Sequence, residues 1–160
     1  MIRAQQARRV LADCRLVHRM LEDETDPDQF RIMWVGAVSL LRAVGHVLDK
    51  VDAVEPTLRA SSSNAFKHWK DASKGHVIFT EFIEKSRNLV LKEYEFQVDQ
   101  RDEIPLVVVD GADASNFNLS ENLFRPLLDG YGAGEDGRDV YAAAIDWWEE
   151  QLTLIEAAAI

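Results

Sequence analysis

The side chains best suited to acid–base or anion chemistry lie in two short segments of the chain. The first segment contains Arg87, Asn88, Lys92 and Tyr94, and the second contains Arg42 and His46. Arg42 and His46 are four residues apart, so they share one face of a helix. They either line a polar cleft beside Arg87 or tie their helix to carboxylates of neighbouring helices. For the first segment, the structural alternative is a surface ion pair between Arg87 and Glu84, with Lys92 as a solvated charge.

The spacing of Arg87, Asn88 and Tyr94 resembles the signature of the HEPN superfamily, small all-helical bundles that include metal-independent ribonucleases and toxin components. The family motif is an arginine, often followed by Asn, with a histidine after a short gap and frequently a tyrosine nearby. The wider layout over residues 28–95 is also similar, with a long apolar helix, an aromatic connector and then the motif. The resemblance implies that the arginine stabilises phosphate charge and the histidine transfers a proton. It also implies a setting in phage defence or toxin–antitoxin biology.

Lys92 stands where the family has its histidine. Lysine has an ordinary pKa of ~10.4 and is a poor general base at neutral pH unless it is desolvated. We therefore expect a non-catalytic, HEPN-like protein-interaction module without a cofactor. The alternative is a metal-independent endoribonuclease in which Arg87 acts with His46 or Lys92. A third class, a small-molecule-binding bundle, would use a pocket under Trp34 and Trp69.

Several other chemistries lack the residues that they need. The segment Gly132–Gly137 matches GxGxxG, but no strand precedes it and two carboxylates lie within it. Neither the Glu-x-x-His spacing of di-iron bundles nor a zinc-binding histidine spacing occurs. The Asp and Asn residues of 110–118 lack the glycine and final glutamate of a calcium loop, so an Asx-rich turn is expected there. No metal site is predicted.

Hydrophobic periodicity predicts one mainly α domain over residues 1–160, an up-down bundle of four long helices. The predicted helices cover Ile2–Glu22, a second helix capped by Asp26 and Pro27 and running to Val51, Val77–Tyr94, and a last helix from the Asp136 cap to the C-terminus. Residues 53–75 are expected to form a connector with one or two helical turns around Ala65–Lys70. Cys14 is expected to be a core thiol, and Trp69 a lid on the core. The helical spacing also predicts buried side chains at Phe30, Trp34, Leu41, Phe82, Ile83, Val90 and Trp147.

The segment after Tyr94 changes character. Tyr94, Phe96 and Val98 alternate with polar residues, and Ile104–Val109 has the composition of a strand. The pattern allows a small β-hairpin near residues 94–109. Residues 110–137 are expected to form a loop with a short helical stretch near Glu121–Leu128.

Charge is distributed unevenly along the chain, whose net charge is −10. Residues 1–20 carry five arginines and one acid, whereas residues 99–160 carry 14 acids and three bases. This acidic excess opposes tight binding of nucleic acid. The basic first helix is expected to dock against the acidic remainder of the same chain or of a partner. Together with the very apolar second helix, this predicts a two-fold homodimer, partly helix-mediated and weakened by salt.

The N-terminal residues contain charges throughout and no continuous apolar region of the kind found in secretory signals. The most apolar stretch, Ile32–Leu48, is 17 residues long and is interrupted by Arg42 and His46. Such a stretch is short for a membrane span and typical of a buried core helix. We therefore expect a cytoplasmic protein that does not enter a membrane.

Overall fold

The computed structural model describes residues 3–101, 104–119 and 124–160. Within them the fold is mainly helical with one small antiparallel sheet, as the sequence predicts. The helices are α1 (Gln5–Asp23), α2 (Pro27–Val47) with a π-helical extension (Leu48–Asp52), α3 (Pro56–Lys70), a 3-10 turn (Ala72–Lys74), a π segment (Phe79–Glu84), α4 (Lys85–Asn88), a second π segment (Leu89–Glu93) and α5 (Gly137–Ala158). The strands are β1 (Ile104–Asp110) and β2 (Asp113–Leu119). The up-down order of four long helices stays a prediction.

Helix α2 begins as the sequence predicts. The Asp26 carboxylate accepts the N–H of Gln29 at 2.9 Å, and Pro27 occupies the first turn. By length and composition alone, Pro27–Asp52 is apolar enough to cross a membrane, with a mean hydropathy of 1.4 over 18 residues. In the fold, this helix packs against α1, α5 and the segment 79–93, and it buries Trp34 and Leu41.

Helix α5 ties the core together through two aromatic side chains. The Tyr141 hydroxyl donates to the Ala37 carbonyl at 2.8 Å, and the Trp148 indole donates to the Leu41 carbonyl at 2.8 Å. The sequence placed Trp147 on the inner face, but Trp148 is the fully buried member of the pair and Trp147 is only half-buried. The other residues predicted for the core are buried: Phe30, Trp34, Leu41, Phe82, Ile83, Val90, and also Cys14.

The prediction of a connector over residues 53–75 is wrong for most of that segment, because Pro56–Lys70 forms the 15-residue helix α3. The Glu55 carboxylate caps this helix by accepting the N–H groups of Thr57 and Leu58. Two serines of this helix use their hydroxyls within the fold: Ser61 donates to the Ile155 carbonyl at 2.8 Å and Ser62 to the Arg59 carbonyl at 3.1 Å. Helix α3 packs on α5 and buries Leu58 and Trp69, so tertiary contact outweighs weak helix propensity.

The sheet is a hairpin, but its partner strands differ from the prediction. Ile104–Asp110 is a strand as expected, and it pairs with Asp113–Leu119 rather than with the segment around Tyr94–Val98. A two-residue turn joins the strands, and Gly111 has the positive φ of 61° that the first position of a type II′ turn requires. The helical stretch predicted near 121–128 lies partly outside the described residues, and its described part, 124–128, is not helical.

The basic helix α1 docks against the acidic helix α5 of the same chain, which is one of the two arrangements expected from the charge distribution. Arg8 contacts Glu156 at 2.8 Å and Glu149 at 2.7 Å, and Arg15 contacts Glu149 at 2.8 Å. The Glu156 carboxylate also accepts the N–H of Ala4 at 2.8 Å. These contacts fix the first helix across the last one.

Candidate functional site

The fold brings Arg42 and His46 together with the segment that carries Arg87. This segment, residues 79–93, is called the motif helix, and it consists of α4 flanked by its two π segments. A π segment adds a residue to a helical turn and is frequent at functional sites. The charge of Arg87 influences both Arg42 and His46, so the three groups belong to one electrostatic cluster.

Arg42 is a largely enclosed cation, with 13% of its side chain exposed. Its guanidinium lies over the Phe79 ring at 5.4 Å from the centroid and 3.7 Å from a Glu84 oxygen. The pKa of Arg42 is lowered by burial and by the charge of Arg87, against the opposing effect of Glu84. Gly45 allows this position, because a Cβ there would lie 3.0 Å from Arg42 Nη1 and 3.0 Å from Trp148 Cη2.

His46 lies one turn beyond Arg42 on the more exposed side of α2. Burial lowers the pKa of His46 below its ordinary value of 6.5, and the charges of Arg42 and Arg87 lower it further. The weaker influences of Asp49 and Glu84 act in the opposite direction. The imidazole is therefore neutral at pH 7, with one nitrogen able to donate a hydrogen bond and the other able to accept one.

Glu84 is paired, but not in the way that the sequence suggested. Its carboxylate contacts Lys70 Nζ of α3 at 2.6 Å and Arg42 at 3.7 Å. Among the described residues it forms no ion pair with Arg87, so the predicted surface pair is wrong. Arg87 Nη1 instead donates to the Asn88 side-chain oxygen at 2.9 Å. The reason is geometric: α3 presents Lys70 to the side of the motif helix on which Glu84 lies.

Neither Lys92 nor Tyr94 is among the groups whose charges influence Arg42 or His46. Lys92 is exposed in the second π segment and takes part in no ion pair within the described ranges. Tyr94 ends the motif helix in the left-handed conformation, with φ of 53°, and packs against Phe96 at 4.9 Å between ring centroids. It is close enough to Arg31 to raise the pKa of that guanidinium, after the larger effect of Asp28. Arg31 precedes Arg42 by eleven residues, or ~16 Å along a helix.

Sequence reasoning missed the second wall of the site because it placed no long helix there. Helix α3 faces the C-terminal part of α2 and its π extension, and the two enclose a groove of about 480 Å³. We call it the α2–α3 groove. Its lining residues include Arg42, His46, Ser63, Phe66, Lys67 and Trp69. Trp34 is buried elsewhere in the core and does not line it. The signal available in the sequence was the Glu55–Pro56 helix start.

The chemistry available to the cluster is therefore that of two arginines and a neutral imidazole beside a groove. Such a set can hold an anion and can donate or accept one proton near neutral pH. The described part of the chain contains no group of three His, Cys, Asp or Glu side chains placed to hold a metal ion. Comparison of the chain with protein-family models, with curated proteins and with solved structures gave no match.

Proposed function

We propose that this chain is a non-catalytic, HEPN-like protein-interaction module whose interaction element is the β1–β2 hairpin. The observation that carries the proposal is the exposure of apolar side chains on both faces of the hairpin. Val107 and Val109 are 64% and 68% exposed on one face, and Val108 and Phe117 are 50% and 55% exposed on the other. An isolated two-stranded hairpin with exposed apolar faces gains stability by adding further strands.

The register of the hairpin defines which strand edge is available. In a hairpin with a two-residue turn, the pair beside the turn, Asp110 with Asp113, exchanges its hydrogen bonds, and bonded pairs alternate from there. Val109, Val107 and Pro105 therefore direct their backbone groups away from β2. Pro105 lies at a position where its missing N–H costs the β1–β2 ladder nothing.

The occupant that best fits this edge is a second copy of the same strand. Two β1 strands related by a two-fold axis at Val107 would exchange the hydrogen bonds of that residue, and the N–H of Val109 would face the carbonyl of Pro105. The edge contains no charged residue between Ile104 and Val109, although each chain carries a net charge of −10. Two such chains repel each other least where the contact surface is uncharged.

Sedimentation equilibrium of the full chain tests this proposal. We expect twice the monomer mass of 18.1 kDa at micromolar concentration. Val107→Lys places like charges opposite each other across the two-fold axis and should give the monomer. Asn116→Lys is the matched control, because Asn116 is the cross-strand neighbour of Val107 but lies on the other strand. This variant should remain dimeric.

Salt dependence separates the hairpin contact from the helix-mediated contact that the sequence suggested. Because the β1 edge is uncharged, the hairpin dimer should persist at high salt, whereas an electrostatic helix contact should weaken. A dissociation constant on the order of 100 μM is at the weak end for a specific interface. A wild-type chain that stays monomeric at that concentration, or a Val107→Lys variant that stays dimeric, would contradict the proposal.

The absence of catalysis in this proposal is supported by the placement of the motif residues. Lys92 is exposed and is not among the charges that influence His46, and Tyr94 lies beside Arg31 near the opposite end of α2. Arg87 uses one nitrogen to hold Asn88, a structural contact that needs no substrate. The HEPN-like ancestry itself rests on the residues of the motif and remains part of the proposal.

A metal-independent endoribonuclease is a second candidate function, favoured by the convergence of Arg42, His46 and Arg87. A neutral His46 can take a proton from a 2′-hydroxyl, and two arginines can stabilise the negative charge that develops on the phosphate. The net charge of −10 opposes the approach of RNA, so we rank this function second.

A metal-free incubation with single-stranded RNA and transfer RNA discriminates between the two functions. The matched set is wild type, Arg87→Ala, His46→Ala and Lys92→His. Cleavage by wild type that is lost in both alanine variants would establish the nuclease and refute the non-catalytic proposal. Activity confined to Lys92→His would support a non-catalytic member of the family in which one residue prevents cleavage.

A further inference from the structure

We propose that the α2–α3 groove binds a small organic phosphate with a flat apolar part, of the nucleoside monophosphate class. No residue of the β1–β2 hairpin lines the groove, so this proposal goes beyond the interaction function and does not depend on it. Its volume of about 480 Å³ lies within the range of small-molecule sites. Three features of the groove support this ligand: an arginine with no hydrogen-bond acceptor among the described residues, nearby carboxylates that are paired with lysines, and an exposed aromatic ring.

Arg42 supplies the anion-binding group. Its guanidinium is 13% exposed and lines the groove, yet it hydrogen-bonds to no other residue of the described ranges. The nearest carboxylate oxygen is that of Glu84, at 3.7 Å. A guanidinium has five donors; those of Arg42 are not buried away from solvent, and a phosphate can replace water there with two parallel hydrogen bonds.

The carboxylates around the groove are already neutralised by lysines. Glu84 contacts Lys70 Nζ at 2.6 Å, and Asp49 contacts Lys50 Nζ at 2.9 Å. Arg42 therefore shares Glu84 with Lys70 and holds it at the longer distance of 3.7 Å, and Lys67 adds a further positive charge at the groove. Within a chain of net charge −10, this is a local surplus of positive charge suited to a small anion.

The apolar part of the ligand is assigned to the α3 wall. Phe66 is 43% exposed and lines the groove, while Trp69 behind it is 3% exposed and contacts the Phe66 ring edge-on at 6.2 Å. A flat ring can stack on the open face of Phe66, and such base–aromatic stacking does not need a specific base. The neutral His46 and the Ser63 hydroxyl supply further hydrogen-bonding groups at the same groove.

Titration calorimetry with a panel of AMP, GMP, CMP and UMP tests the proposal, with inorganic phosphate and adenosine as partial ligands. We expect at least one monophosphate to bind at ~0.1 to 1 mM, and both partial ligands to bind at least about tenfold more weakly. Trp69 lines the groove, so a change in the intrinsic tryptophan fluorescence of the protein provides an independent readout. Binding by inorganic phosphate as tight as by any nucleotide would overturn the assignment of Phe66.

Three variants locate the site. Arg42→Ala should weaken nucleotide binding about tenfold or more, since a charge-assisted contact is lost. Ser63→Glu places a negative charge in the groove from an exposed helical position, so it should abolish binding without unfolding the protein even if Arg42→Ala is unstable. Lys92→Ala removes an exposed cation outside the groove and should change nothing. Absence of binding across the whole panel, or binding unchanged in Ser63→Glu, overturns the proposal.

Discussion

The contact between α1 and α5 gives the sharpest stability prediction. Arg8 donates from Nε and Nη2 to Glu156 at 2.8 Å each, and from Nη1 to Glu149 at 2.7 Å. The Glu156 side chain is only 7% exposed. Replacement of Arg8 by alanine leaves that carboxylate with the Ala4 N–H as its remaining partner among the described residues.

The magnitude follows from the burial of the carboxylate that is left behind. Removal of one partner from a buried ion pair costs about 3–5 kcal/mol. The Arg8 side chain is 28% exposed, so water can partly replace it, and the lower end of the range, about 3 kcal/mol, applies. In contrast, Arg15 and Glu149 are 43% and 41% exposed, and the loss of Arg15 should cost below about 1 kcal/mol.

Urea denaturation of wild type, Arg8→Ala, Arg8→Met and Arg15→Ala measures these costs. Arg8→Met keeps an apolar stem, so it separates the charge from the packing of the side chain. Thermal unfolding gives a second readout: for a domain of this size, the Arg8 variants should melt about 6–12 °C below wild type. An Arg8→Ala variant no less stable than Arg15→Ala would refute the argument that a buried carboxylate depends on Arg8.

Three further outcomes are expected. Burial raises the pKa of Glu156, but hydrogen bonds from Arg8 and Ala4 lower it below the ordinary value of 4.5. The stability that these hydrogen bonds contribute to the folded protein should therefore be lost as the pH falls below 4.5. The urea midpoint of wild type should drop in that range, and the midpoint of Arg8→Ala should drop less. Tyr94 has φ of 53°, so Tyr94→Gly should be more stable than Tyr94→Ala by about 1 kcal/mol in the same urea assay. Burial raises the pKa of Cys14 to about 11, so its alkylation at pH 8 should be at least about 100-fold slower in the native protein than in urea; equal rates would contradict this.

Local signals in the sequence were sufficient for the helix starts and for the core faces. Asp26 and Asp136 cap helices where the pattern placed them, because a cap depends only on the next few residues. The apolar periodicity of α1 likewise identified Cys14 as a buried residue. The same local reasoning failed for α3, because its serines have low helix propensity. This segment is helical because Trp69 and Leu58 pack against the rest of the fold.

The sequence by itself determined that the protein is mainly helical, that Arg42 and His46 share a helix face, and that a strand follows Ile104. Only the tertiary structure decided that Glu84 pairs with Lys70 rather than with Arg87, and that β1 pairs with the strand after it. Local structure depends on adjacent residues, whereas the partner of a long charged side chain depends on which distant elements pack beside it. For the same reason, the groove beside Arg42 exists only because α3 folds against α5 and the π extension of α2.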